Sequence, residues 1–298
     1  MRAKSVELKI YRLGDENEYE FKYRGRYGAR GEKRAKRSRI TTEAQARANQ
    51  KNKEKEVRRT IKLNFRKNDL WVTLKYPKGV RKPIKEVQAD RAAFIRKLRA
   101  FYKKAGVPLK FMYRMEIGKL GGIHLHFVIN SIEGVDVTGW IRDAWESGHV
   151  NYEFLYEDGG FEALAEYLVK PAQSDTGQMY FEGMGMEDKK AFVRYGSSRN
   201  LKRPEPEIRT YSHWTMRHFL EGNEPKPSEG FYIVKDSIRQ GVNPYNGFSY
   251  YYFTERRLNG KGDTDIYLDR CQPVPGGPVR GKVRASGAKR KRPDSIQD

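Results

Sequence analysis

Cysteine is almost absent: the 298 residues contain one, Cys271. One thiol builds neither an internal disulfide nor a cysteine zinc site, so a reducing compartment, the cytoplasm, is the expected setting. No apolar run approaches the roughly 18–20 residues that cross a bilayer, which argues against a membrane-spanning protein. The opening stretch MRAKSVELKIYRLGDE has no apolar core, so no secretory leader is expected in it. Histidines number only five. Negative charge is also in deficit. Against 60 Lys and Arg stand 38 Asp and Glu, a net charge of +22, with mean hydropathy −0.88 and a pI near 9.9. Aromatic residues at 12% nonetheless argue against wholesale disorder. A folded chain of this charge suits a polyanion, nucleic acid first and an acidic membrane surface second.

The pattern along the chain divides it into four parts. Residues 1–59 read as a basic N-terminal arm and helix. The arm runs from Lys22 through Arg39, with Gly25, Gly28 and Gly31 breaking any period, and Thr42 is a candidate N-cap for a helix to about Arg58. Residues 60–204 read as an α+β unit. Ile61–Phe65 and Leu70–Tyr76 suggest a hairpin around the polar turn 66–69. A helix over about 83–104 is closed by Gly106 and Pro108. Leu109–Ile117 and Ile123–Asn130 form the clearest hairpin. A helix over 137–145, a strand over 149–156 and a helix over 161–169 follow, then a loop over 172–190. The expected fold is a central antiparallel sheet with helices on one face. Residues 205–271 read as an extension or small accessory domain with strands near 231–235 and 248–254, and 272–298 as a disordered basic tail.

Written by parity, the 109–130 hairpin separates its residues. Phe111, Tyr113, Met115, Ile117, Ile123, Leu125, Phe127 and Ile129 share one face. Arg114, Glu116, His124, His126 and Asn130 share the other, with Met112 and Val128 as exceptions. Such alternation predicts one packed face and one open face. A turn centred on Leu120 sets Glu116 opposite His124 and Arg114 opposite His126, with cross-strand Cβ atoms about 4.5–5.5 Å apart. One carboxylate and two imidazoles on one patch suit a divalent cation with coordination positions left over. The plainer alternative is a surface strand that happens to carry two histidines. On the 161–170 helix, Phe161, Leu164, Ala165 and Leu168 form the inward stripe, with Tyr167 at its flank and Lys170 three residues on. By itself this is an amphipathic helix with a half-buried tyrosine. Beside a metal patch, Tyr167 becomes a candidate nucleophile and Lys170 its cation.

These segments carry a resemblance. Ile123-His124-Leu125-His126-Phe127 resembles the histidine–hydrophobe–histidine signature of HUH endonucleases, and Tyr167-Leu168-Val169-Lys170 resembles their Y-x-x-K motif. Leu70-Trp71-Val72-Thr73-Leu74 stands where rolling-circle initiators carry a strand-forming first motif. Ser198-Arg199-Asn200-Leu201 followed by Pro204 is similar to a segment of phage and plasmid replication proteins. The resemblance covers about residues 60–205 and implies a rolling-circle replication initiator with a sheet related to the RNA-recognition fold. It implies Mg²⁺ or Mn²⁺ held by His124, His126 and, here, Glu116. Tyr167 would form a 5′-phosphotyrosine link to single-stranded origin DNA, with Lys170 beside it, in the cytoplasm of a bacterial host. A DNA hairpin and the host helicase and polymerase are further candidate partners, and no membrane is implied. One departure is that Ala163 and Pro171 stand where a second tyrosine would flank Tyr167.

Arg114, Arg194, Arg199, Lys202 and Arg203 are candidate DNA contacts, the last four as a cluster near Tyr195 that reads equally well as a solvated loop. His149, His213 and His218 have no partner at ligand spacing and read as structural. Tyr250-Tyr251-Tyr252-Phe253 reads as a buried strand in preference to a base-stacking run. Two alternatives share the chemistry, a plasmid-mobilisation relaxase and a transposase. A third keeps the charge without the chemistry, a non-catalytic nucleic-acid-binding protein. A His-x-His oxygenase is disfavoured by the charge and by the lack of a barrel pattern.

Overall fold

A computed structural model describes residues 6–23, 42–117, 122–155, 161–170, 195–242 and 248–258, and among these described residues strand alternation and helical stripes give two antiparallel sheets of five strands each and five helices. In chain order the elements are β1 (Val6–Arg12), β2 (Glu16–Tyr23), α1 (Glu43–Asn64), β3 (Leu70–Lys75) and α2 (Ile84–Lys104). Then come β4 (Phe111–Ile117), β5 (Ile123–Ile129), α3 (Val137–Ala144), β6 (His149–Phe154), α4 (Glu162–Val169) and β7 (Tyr195–Ser197). The last are β8 (Glu207–Tyr211), α5 (His213–Leu220), β9 (Phe231–Val242) and β10 (Ser249–Arg257). The α+β class agrees with the sequence reading. Among the described residues no helix is long and apolar enough to cross a membrane.

The first sheet runs β6-β3-β5-β4-β7. Its apolar face buries Leu70, Val72, Leu74, Met115, Leu125 and Phe127 against α2 and α3, whose contribution includes Phe94, Leu98, Tyr102 and Ile141. Each such side chain removed from water contributes about 1.5–3 kcal/mol. Gly106, at φ 71°, ends α2 in the left-handed region that the expected glycine stop requires.

The opposite face is not open. Met112 and Val128, the two exceptions to the parity pattern, are fully buried there with Val57, Ile61 and Phe65 of α1 and its exit and with Ala165, Leu168 and Val169 of α4. Helices therefore cover both faces, and this corrects the one-sided arrangement expected. The cause is α1 itself. It is capped by Thr42 as anticipated, with Gln45 N–H donating to Thr42 Oγ1 at 3.4 Å. It continues past Arg58 to Asn64, so Ile61–Phe65 is not a strand. Val57 and Ile61 recur four apart and bury one helical stripe, which outweighs their β propensity. The turn after it holds because Asp69 accepts from Arg66 N–H at 2.8 Å and Ser131 N–H at 2.7 Å. With no hairpin partner at 61–65, β3 pairs with β5 and β6 instead.

The second sheet runs β8-β1-β2-β10-β9; the sequence reading expected strands at the positions of β9 and β10 but not their joining with β1, β2 and β8. Residues 6–23, read as the start of an arm, form β1 and β2, and Lys22 belongs to β2. The rest of that basic run, 24–41, lies outside the described residues, as do the 172–190 loop and the tail from 272. Val6, Leu8, Ile10, Phe21, Tyr251 and Phe253 pack on Met216 and Phe219 of α5.

The two sheets meet through charge. Glu16, Glu18 and Glu20 alternate along one face of β2 and receive α1. Arg59 donates to Glu18 at 2.7 Å and to Glu20 at 2.6 Å, Arg58 donates to Glu18 at 2.7 Å, and Lys62 bonds Glu16. Glu18 and Glu20 side chains are 5% and 7% exposed. Burial pushes the Glu20 carboxyl up, but Lys22, Arg59 and Lys55 outweigh it and hold the group at about 2. A carboxylate so depressed stabilises the fold above its ordinary value of 4.5, and that contribution, on the order of 3 kcal/mol, is lost as pH falls from there toward 2. Glu20→Gln is expected to lower the urea midpoint at pH ~7 and to flatten its decline below pH ~4.5. An acid limb as steep as that of the unaltered chain would place the acid sensitivity elsewhere.

Candidate active site

The β4–β5 register is the expected one: Glu116 opposite His124 and Arg114 opposite His126. Because β3 pairs with β5 on the other side, Lys75 stands beside His124 and Thr73 beside His126. β6 extends the same rows with His149 next to Lys75 and Asn151 next to Thr73. Helix α4 then brings Tyr167 over this face.

Tyr167 donates to Glu116 Oε2, and its hydroxyl lies 3.0 Å from His126 Nε2. His126 Nε2 is 3.3 Å from Glu116 Oε2. On the far side of the ring, His126 Nδ1 lies 3.1 Å from Thr73 Oγ1. A hydroxyl both donates and accepts, so Thr73 supports either imidazole tautomer. Trp71 stacks on His126 with centroids 5.4 Å apart and meets Tyr167 edge-on at 5.6 Å. The Trp71 stack, the Tyr167 ring edge-on to the imidazole at 5.3 Å and the Thr73 bond leave His126 little freedom to turn.

Arg114 secures the helix end. Its Nη1 donates to the carbonyls of Leu168 at 3.2 Å and Lys170 at 2.8 Å, groups that a helix terminus leaves without partners. Its guanidinium carbon is 5.6 Å from the Tyr167 ring centroid. The residue is 6% exposed, so this arginine, read as a DNA contact, works inside the protein.

Charge at the site is polarised. The bond from His126 holds the Glu116 carboxyl at about 2 against its burial, with help from Tyr167 and Arg114. Burial, then the neighbouring His126 and Lys75, push His124 down and keep it neutral. Burial and then Glu116 push the Tyr167 phenol well above its ordinary 10, while Arg114 works the other way.

Glu116, His126, Tyr167 and Arg114 are thus gathered at one place. His124 is next to them, its ring centroid 6.2 Å from that of His126. The donor types suit a divalent cation, a carboxylate and two imidazoles on one face. The three do not converge on a shared point: among the described residues no group of three His, Cys, Asp or Glu side chains is placed to hold a metal ion. The reason is local, since Glu116 and His126 both turn to the Tyr167 oxygen.

The Lys170 side chain is exposed, while its carbonyl accepts from Arg114 and its N–H donates to the Tyr167 carbonyl at 3.4 Å. Arg199, Lys202 and Arg203 are exposed after β7, with Arg203 donating to Ser197 Oγ at 3.1 Å. Arg194 lies outside the described residues. The Ser198–Leu201 segment pins the start of β4. Ser198 N–H donates to the Phe111 carbonyl at 2.9 Å, and Asn200 donates to that of Leu109 at 3.0 Å. Trp71 and Thr73 enter the sequence reading as part of a motif, without roles. Parity of the 70–75 strand, with Trp71, Thr73 and Lys75 alternating against Leu70, Val72 and Leu74, is the signal that places them.

The segment that carries this geometry has a known counterpart. Residues 69–172 match the family model for the replication-associated protein ORF2. The matched stretch includes Trp71, Thr73, Arg114, Glu116, both hairpin histidines, Tyr167 and Lys170. It is consistent with a rolling-circle replication initiator. Comparison with curated proteins and with solved structures finds no match.

Difference titration of the phenol band between the unaltered chain and Tyr167→Phe is expected to show Tyr167 protonated well past pH ~10. In Glu116→Gln, loss of the carboxylate should bring that ionisation down. An unshifted value would mean that burial alone protects the phenol.

Proposed function

We propose that this chain nicks and rejoins single-stranded DNA at a replication origin through a covalent bond to Tyr167. The observation that carries the reading is the Tyr167 oxygen held against Glu116 and His126, inside the segment that matches a replication-associated family. The Tyr167 oxygen attacks the scissile phosphorus, the bond from phosphorus to the 3′ oxygen breaks, and a 5′-phosphotyrosine forms. The phenolic proton passes to solvent as the new bond forms, because Glu116, held at about 2, accepts its hydrogen bond but is too weak a base to keep it. The departing 3′ oxygen takes up a proton and becomes the hydroxyl from which synthesis starts. Joining is the reverse, with a 3′ hydroxyl attacking the phosphotyrosine.

Burial and Glu116 oppose the phenolate, so the reaction needs positive charge near it. Arg114 is the cation already in place. Mg²⁺ or Mn²⁺ held by His124, His126 and Glu116 would add polarisation of the scissile phosphate when bound. Lys170 would meet the phosphate from the exposed side of α4. Arg199, Lys202 and Arg203 would contact the backbone of the strand, a charge-based affinity that falls with salt.

Incubating the full chain with single-stranded replicon DNA and Mn²⁺, followed by denaturing electrophoresis, is expected to yield a protein–DNA adduct. Tyr167→Phe should abolish the adduct and leave DNA binding within a few-fold. His124→Ala should reduce metal affinity and nicking together. DNA binding that Tyr167→Phe and chelator both leave unchanged, with no adduct from the unaltered chain, would instead support the non-catalytic binder.

A further inference from the structure

The tyrosine run at 250–253 is split by the strand. Tyr251 and Phe253 enter the core beneath α5. Tyr250 and Tyr252 point to the other face of the second sheet, where their rings stack with centroids 4.9 Å apart and 27° between planes. Two lysines stand over Tyr252. Lys55 of α1 has its Nζ 4.6 Å from the ring centroid and Lys22 of β2 has its own at 5.1 Å. Their side chains are 39% and 44% exposed. Arg239, exposed on β9, is the cross-strand neighbour of Tyr252. Beside Tyr250, β9 carries Gly241, where a Cβ would come within 2.9 Å of the Tyr250 hydroxyl. The missing side chain is what gives that phenol its place.

Charge here is unbalanced. Glu20 faces Lys22, Lys55 and Arg59 together. Arg59 is shared with Glu18, and Glu20 bonds Lys22 at 2.7 Å, so Lys55, 3.5 Å from Glu20, is the less well paired: burial and then the crowding of Lys22, Arg59 and Arg58 push it below its ordinary value. Paired aromatics flanked by two part-exposed lysines match a ligand that alternates phosphate anions with flat bases. α1 also ties this patch to the candidate active site. Its Gln50 donates to the Val169 carbonyl of α4 at 3.0 Å, and its Lys53 stands 5.6 Å from the ring of Tyr195, the cross-strand neighbour of Arg114.

We propose that Tyr250, Tyr252, Lys22 and Lys55 form a second contact surface for single-stranded DNA, apart from the face that carries Tyr167. This deepens the proposed function: a strand engaged at Tyr167 continues over the first half of α1 to the second sheet. The surface extends the footprint and leaves the chemistry alone.

The test uses the full chain and labelled single strands of about 12 and about 40 nucleotides, since one such surface covers on the order of 4–16 nucleotides. Tyr250→Ala with Tyr252→Ala is expected to weaken binding of the long strand by about ten-fold, leaving short-strand binding and short-strand adduct formation unchanged. Lys22→Gln with Lys55→Gln serves where the tyrosine variant fails to fold, and should reduce the slope of log affinity against log salt by about 1–1.5 for the long strand. Unchanged long-strand affinity and slope in the folded variants overturns the proposal. So does an equal loss for a duplex of the same length, which would mean a general phosphate patch, and so does loss of short-strand adduct. If no variant or parent forms an adduct, the Tyr167 reading fails while the long-versus-short comparison still decides this one.

Discussion

The pairing register between β4 and β5 is the constraint on which the candidate site depends. It sets Glu116 against His124 and Arg114 against His126, and parity then sends all four side chains to the face that α4 crosses. A slip of one residue would exchange that set for Tyr113, Met115, Leu125 and Phe127, breaking the core under α2 and the polar cluster together. Core burial on one face therefore enforces the chemistry on the other. Arg114 extends the constraint from strand to helix, because its bonds to the Leu168 and Lys170 carbonyls fix the end of α4 just beyond Tyr167.

Helix α1 links the remaining parts. One stripe, Val57 and Ile61, closes the apolar seam under α4. The other, Arg58, Arg59 and Lys62, meets the acidic row of β2. The seam is non-directional and tolerates small shifts. The charged layer has fixed partners, and a buried ion pair that loses one member leaves an uncompensated charge behind. The second sheet is thus joined to the first by contacts that specify position, and the excess of cations over carboxylates along this layer leaves positive charge facing outward near Tyr252.

The parts of this arrangement that are legible in the sequence depend on short-range rules. Hairpin register follows from turn length and parity, the α2 stop from Gly106, and the α1 start from Thr42. The illegible parts depend on partners distant in the chain. Ile61–Phe65 has strand composition, and only the docking of α4 about a hundred residues later makes a helix of it. Met112 and Val128 look like breaks in a polar face because nothing local shows the helices that cover them. The second sheet brings β1 and β2 together with β8, β9 and β10, pairings that no local period announces. The charge of Arg114 suggests a surface contact, whereas its partners are main-chain carbonyls, which sequence does not display.

In the arrangement described, the Tyr167 proton is held by the same carboxylate that makes ionisation harder. The bond to Glu116 positions the oxygen and also raises the phenol, so positioning and activation pull in opposite directions. A substrate phosphate alone adds more negative charge and worsens the balance. On the proposed reading, activation has to come from cations, and Arg114 supplies one that is already committed to two carbonyls. A divalent cation bound by Glu116 and the histidines would resolve the conflict twice, by drawing the carboxylate away from the phenol and by adding charge beside it. Thr73, able to donate to His126 Nδ1 or accept from it, lets the imidazole change tautomer in that exchange without losing its anchor.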